Sequence, residues 1–303
     1  MSAPASDRRA LLVLLAGACL IGTGPIMVRL AHAGPSAIGF WRVSFAVPLL
    51  WLLARRGGRR GVGRPGGAAL AAGVFFALDL AFWHYAIHYT SVANSTVLSN
   101  LTPVIVTAVS WLLFRERPRL LFLIGLAAAV AGAATMALAR QGAGAPGADP
   151  PLGDALAALT AVWYSGYFLL VREARGRLGA AQVMFWSSLA AAPCLLLAAL
   201  MLREPLLPAQ AWGWWPLAGL ALMHVGGQGA IAWALGRLPA ALTAVVVLVQ
   251  PVVAAALGWL VFGEVVTPLQ ALGGAVALGG VAFAQAAARR RPPPTQEEAE
   301  ALA

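Results

Sequence analysis

Two charged residues interrupt long apolar runs of this chain, Arg42 in Phe40-Trp41-Arg42-Val43 and Asp79 in Ala77-Leu78-Asp79-Leu80. A guanidinium can fork two hydrogen bonds onto a carboxylate or phosphate, while a carboxylate can take an amine or a proton. Together they can grip the two ends of a charged solute, or they can pair with each other and tie two helices. The residue types alone leave both uses open. His84 and His88 stand four apart, on one helix face, a geometry that can hold a metal. No third ligand of Cys, Asp or Glu type stands beside them, so neither a metal nor any other cofactor is expected. His84 is expected to line a polar cleft or bond a neighbouring helix, and its imidazole, titrating near neutrality, can pass protons. His224, beside Gly226-Gly227-Gln228-Gly229, is the corresponding candidate further along, with a hydrogen bond to a neighbouring helix as its alternative use. The amides of Asn100, Gln228 and Gln250 can bind solute or bond across helices, and Gln250 can also serve carbonyls freed by Pro251. Trp83, Trp163, Tyr164 and Tyr167 can stack on an aromatic or apolar solute, or simply pack. The candidate substrate-binding set is therefore Arg42, Asp79, Trp83, His84, Asn100, Trp163, Tyr164, His224 and Gln228. No catalytic residue is expected, because no Gly-x-Ser-Gly, His-Glu-x-x-His or Asp-rich helix occurs and Asp79 is the one carboxylate deep in an apolar run.

The elements that must carry these groups are membrane helices. Of 303 residues, 60% are hydrophobic and 11% charged, with a mean hydropathy of +0.79, outside the range of a water-soluble domain. A helix needs about 20 apolar residues to cross the hydrocarbon core, and spans are expected at about 10–30, 36–54, 68–88, 92–114, 120–139, 153–172, 181–202, 213–235, 240–262 and 268–288. The tail, 292–303, with Pro292-Pro293-Pro294 and three glutamates, is expected to be disordered. The net charge of +10 does not indicate nucleic acid, since the arginines cluster between apolar runs instead of lining one face. They fall on one side if the N-terminus is cytoplasmic: Arg8 and Arg9, Arg55 to Arg64, Arg115 to Arg119, Arg172 to Arg177, Arg237, and Arg289 to Arg291 lie inside, against Arg29, Arg140 and Arg203 outside. Retention of positive charge in the cytoplasm then places both termini there. All 21 basic residues are arginine, so a phosphate-binding loop that needs a lysine is excluded. Cys19 and Cys194 lie in apolar runs and read as small hydrophobes.

The chain also repeats itself. Phe40-Trp41 and Pro48 recur as Phe185-Trp186 and Pro193 at one spacing, and after a short insertion a second spacing pairs Pro103 with Pro251, Trp111 with Trp259, Phe114 with Phe262, Glu116 with Glu264, Gly125 with Gly273 and Gly132 with Gly280. Residues 1–145 and 146–291 are thus read as two copies of a five-helix unit, joined across the Gly/Pro/Ala-rich 141–151 segment. An odd number of spans forces the second copy to enter the membrane from the opposite side. Fold class is an all-α integral membrane protein of ten transmembrane helices as two inverted five-helix repeats. Pro25, Pro103 and Pro251 interrupt spans near their middles and are the hinge candidates. Glu116 and Glu264 end equivalent spans, where they can cap the helix that follows.

The stretches "LTPVIVTAVSWLLFRE" and "VQPVVAAALGWLVFGE", with Arg42 in "FWRVSFAVPLL", resemble the drug/metabolite transporter superfamily, in particular its EamA-like family. The resemblance runs from the first helix to the tenth. It implies a multi-pass carrier of the bacterial inner membrane with both termini cytoplasmic, often exporting amino acids, related metabolites or drugs. The partners it implies are a small-molecule substrate, the lipid bilayer and, for a coupled carrier, protons. The motifs specify architecture more closely than cargo, direction or oligomeric state, and a monomer suffices for the reading.

Overall fold

The computed structural model describes residues 5–56, 61–90, 98–115, 117–139, 149–263 and 266–289. Glu116, Glu264, the 141–148 part of the expected linker and the tail lie outside them, as does the side chain of His88. Every regular element among the described residues is helical. In chain order these are α1 Ala5–Ile21, α2 Gly24–Ala31, α3 Pro35–Arg56, α4 Gly67–Tyr89, α5 Thr102–Phe114, α6 Leu120–Ala139, α7 Pro150–Arg175, α8 Ala180–Met201, α9 Trp214–Met223, α10 Gly229–Leu235, α11 Ala240–Val247, α12 Gln250–Phe262 and α13 Pro268–Arg289.

Among the described residues, eight stretches are long and apolar enough to cross a membrane: Arg8–Ala31, Pro35–Arg56, Gly67–Ala86, Pro150–Arg175, Ala180–Met201, Ala211–Leu235, Ala240–Phe262 and Pro268–Ala288. The fourth and fifth expected spans are represented by shorter apolar helices, Thr102–Leu113 and Leu120–Met136. The fourth was expected to begin near residue 92, and 91–97 are outside the described residues. The exterior is apolar, with Leu112 76% and Leu260 71% exposed, as suits a surface bathed in lipid.

Two of these stretches are broken near a proline. Lacking an N–H, proline is tolerated in the first turn of a helix and disruptive further in. Gly22-Thr23 separates α1 from α2, with Pro25 in the first turn of α2. Leu248-Val249 separates α11 from α12, with Pro251 in the first turn of α12, and Pro103 opens α5 in the same way. Each of the three prolines thus stands in the first turn of a helix, where a mid-helix kink was expected. Pro48 and Pro193 instead lie inside continuous helices, α3 and α8. A further irregularity is a single π-helical turn, His224–Gln228, between α9 and α10.

Small residues let these helices approach closely, as membrane helix packing requires. On α6 and α13 a Cβ added at Gly132 would lie 2.3 Å from the Ala277 amide nitrogen, and one at Gly280 2.4 Å from that of Ala129. Gly125 meets Ala284 in the same manner and Gly273 meets Met136, so α6 and α13 run antiparallel and touch through residues that match in the sequence repeat. Helices α3 and α8 also pack together, Gly39 facing Leu195. Trp41 of α3 donates its Nε1–H to the Leu206 carbonyl after α8 at 2.8 Å, and Trp186 of α8 donates to the Val62 carbonyl after α3 at 3.0 Å. Helix α4 lies along α7, with Gly166 against the Phe75 ring and Gly153 against Thr90.

Candidate functional site

The polar cluster forms where α3, α4, α7, α8 and the π turn meet. Arg42, 9% exposed, follows the first residue of α3 by about two turns. Its guanidinium carbon stands 5.3 Å from the centre of the Phe76 ring of α4, a cation–π approach. Asp79, 8% exposed, is three residues beyond Phe76 and so shares its helix face. Arg42 and Asp79 act on each other electrostatically, yet neither closes a salt bridge or a hydrogen bond among the described residues.

Helix α7 supplies the opposite wall. Tyr164 and Tyr167 stack with their rings 5.8 Å apart and 7° from parallel, and Tyr167 lies 4.9 Å from Phe76. The Gln228 amide nitrogen makes a long 3.5 Å contact to the Tyr164 hydroxyl. His224 packs on Phe76 at 5.3 Å, and its Nε2 is hydrogen-bonded to the Ser188 hydroxyl of α8 at 2.9 Å, the proton's position depending on the tautomer. The π turn sets the spacing of His224 and Gln228; such turns widen a helix locally by one residue. Its glycines let α1 cross it: a Cβ on Gly17 would come 3.0 Å from the Gly227 carbonyl, and one on Gly227 2.5 Å from Ile21.

Buried polar atoms almost always find a partner. Here Arg42 Nε, His224 Nδ1, Gln228 Oε1, Gln250 Nε2, Asn100 Nδ2 and Trp163 Nε1 are buried with no hydrogen-bond partner among the described residues. Donors and acceptors are both present, so the arrangement can grip a solute that carries an anionic group and further polar groups.

Of the nine residues expected from sequence, the structure gathers Arg42, Asp79, Tyr164, His224 and Gln228 into one cluster. The others are distributed around it. Trp163 points to the other side of the α4–α7 contact, between Phe75 and Phe82 at 5.5 and 5.8 Å. Trp83, half-buried, meets the His84 ring, and His84 Nδ1 is bonded to the Leu80 carbonyl of its own helix at 2.6 Å. Asn100 lies in the turn before α5, whose start is held to α7 by Ser165 donating to the Thr102 carbonyl at 3.3 Å. Trp212 and Trp214 pack as well, Trp214 on Trp41 at 5.1 Å and Trp212 on His32 at 4.9 Å. Phe76 and Ser188 escaped sequence reasoning. The three-residue spacing of Phe76 and Asp79 on one helix could have revealed the first.

Broken, glycine-packed apolar helices around a polar cluster define a multi-pass membrane protein. The chain belongs to the EamA-like transporter family, whose sequence model matches residues 8–138 and again 151–285, and it is a membrane transporter within the drug/metabolite transporter superfamily. An uncharacterized transporter of Archaeoglobus fulgidus is 26% identical over 274 residues, covering 89% of this chain and 94% of that protein. A crystal structure of another protein shares the fold, with a TM-score of 0.77 over 93% of this chain and 99% of that one, at 22% identity.

Proposed function

We propose that the chain is a secondary active carrier that exports a small organic solute, such as an amino acid, a related metabolite or a drug-like molecule, by alternating access between two inverted five-helix halves. In this reading ten spans divide into 1–145 and 146–291, both termini face the cytoplasm of a bacterial inner membrane, and the chain moves its solute without chemically altering it. The single observation that carries the proposal is the uncommitted charge pair. Arg42 and Asp79 from the first half face Tyr164, His224 and Gln228 from the second, and among the described residues neither charge closes a salt bridge or a hydrogen bond, Arg42 Nε being buried without a partner. Arg42 takes the solute's carboxylate or phosphate, Asp79 takes its amine or the coupling proton, and Tyr164, His224 and Gln228 read its remaining polar groups. Trp83, His84, Asn100 and Trp163 border the path.

Inversion is supported by the antiparallel crossing of α6 and α13 through matched glycines and by the reciprocal bonds of Trp41 and Trp186. Two copies related by an axis in the membrane plane bring equivalent helices together head to tail. The two matches to the family, 8–138 and 151–285, support the division into halves. Pro25, Pro103 and Pro251, each in the first turn of a helix, serve as the hinges about which the halves rock.

Counterflow tests the proposal. Purified chain in liposomes preloaded with unlabelled solute, drawn from a panel of amino acids, other metabolites and drug-like cations, should accumulate the labelled form of its cargo transiently above equilibrium. Flux that never exceeds equilibrium would mark a channel, and no flux for any solute would contradict the carrier reading.

A further inference from the structure

The first amides of α3 lack an acceptor within their own segment, because the preceding residue, Gly34, has no side chain to cap them. Glu204, 168 residues beyond Ser36, supplies one. Its Oε2 accepts from the Ser36 N–H at 2.7 Å and the Ala37 N–H at 3.1 Å. Its Oε1 accepts from the Tyr85 hydroxyl of α4. The approach is close enough that a Cβ on Gly34 would lie 2.5 Å from the Glu204 Cβ. The surrounding chain is fastened too, with the Gly34 N–H donating to the Pro205 carbonyl at 3.0 Å and the Ala209 N–H to the His32 carbonyl at 3.1 Å. A negative charge at a helix N-terminus is favourable, and hydrogen bonds to a carboxylate are stronger than neutral ones. At the opposite end of the α3–α8 pair neutral groups make contacts of the same kind: Gln182 donates to the Gly61 carbonyl at 2.6 Å and Trp186 to the Val62 carbonyl.

We propose that Glu204 is the latch of the outer face in the transport cycle, a positioning residue that holds the ends of α3 and α4 together and lets go when that face opens. This rests on the alternating-access reading and on the orientation proposed above. A charge holding three donors from two helices differs from a loop contact in its consequence. Helix α3 carries Arg42 about two turns further on, so releasing the cap frees the element that presents the solute's counter-charge. Opening of the outer face and loss of grip on the solute are thereby coupled through one side chain.

The test uses the full chain in liposomes, in a Cys19→Ala, Cys194→Ala background. Ile38→Cys, on α3 beside the latch, reports the outer face, and Ala54→Cys, near the other end of α3, reports the inner. Both positions are buried. Reaction with a membrane-impermeant maleimide is followed in right-side-out and inside-out vesicles. Glu204→Gln should speed labelling of the outer reporter about tenfold, the shift in a two-state population from losing one charged hydrogen bond, with no rise at the inner reporter. Tyr85→Phe, which leaves the α3 cap intact, should produce a smaller rise at the same reporter. A rise at both faces would mean general loosening and would overturn the latch, as would outer labelling that ignores Glu204. Counterflow in the same vesicles separates the two failures: exchange with an indifferent outer reporter sinks the latch alone, whereas no exchange by the wild-type chain sinks the transport reading beneath it.

Discussion

Burying a guanidinium away from water costs several kcal/mol, and Arg42 Nε is buried with no hydrogen-bond partner among the described residues. In the proposed cycle bound solute supplies a partner to Arg42 and another of its groups meets Asp79. Arg42→Gln should therefore lower counterflow by about tenfold or more while leaving the chain folded. The double variant Arg42→Gln, Asp79→Asn separates the two uses of the pair. Were the pair only a structural tie, neutralising both members would restore exchange; the account predicts that exchange stays low, as measured in the same vesicles. Arg42 and Asp79 were legible in the sequence because a charge inside an apolar run has few explanations. Phe76 was not, since one more phenylalanine in an apolar helix carries no mark until Arg42, Tyr167 and His224 are seen around it. Glu204 was hidden for another reason, because it sits in a connection and its partners are backbone amides of a distant segment.

Helices α6 and α13 approach closely through their backbones, and glycine sets where that approach occurs. At Gly132 an added Cβ would meet backbone, 2.3 Å from the Ala277 nitrogen and 2.6 Å from the Gly273 carbonyl, so no rotamer change can relieve it. Gly132→Val should force α6 and α13 apart and cost about 1–3 kcal/mol, seen as a lower midpoint of thermal unfolding in detergent. Gly280→Val should do the same through Ala129. By contrast Gly229→Ala, where nothing lies within 4 Å, should leave the midpoint unchanged. Broken spans predict a different effect: Pro251→Ala restores a backbone donor at the gap between α11 and α12, stiffens the junction, and should slow exchange without lowering that midpoint. The positions of the breaks were legible from proline. That each proline would start a new helix, and that His224–Gln228 would form a π turn, were not, because both depend on which neighbouring helix fills the gap.

At the scale of the molecule, the apolar runs made the helical membrane architecture readable from sequence. Among the described residues, eight apolar stretches are long enough to cross a membrane, and two shorter apolar helices overlap the fourth and fifth expected spans. The exact extent of the fourth and fifth was not readable, since Leu-Ala-Gly patterns say little about where a helix end meets lipid. Two halves that rock about a shared polar cluster must expose that cluster to each side in turn. Ser188, buried beside His224 on α8, reports it with minimal disturbance. In a Cys19→Ala, Cys194→Ala background, the most direct measurement is modification of Ser188→Cys by an impermeant thiol reagent applied to each face separately. The account predicts reaction from both faces, slowed in both cases by the cargo that counterflow identifies; reaction from one face alone would contradict it.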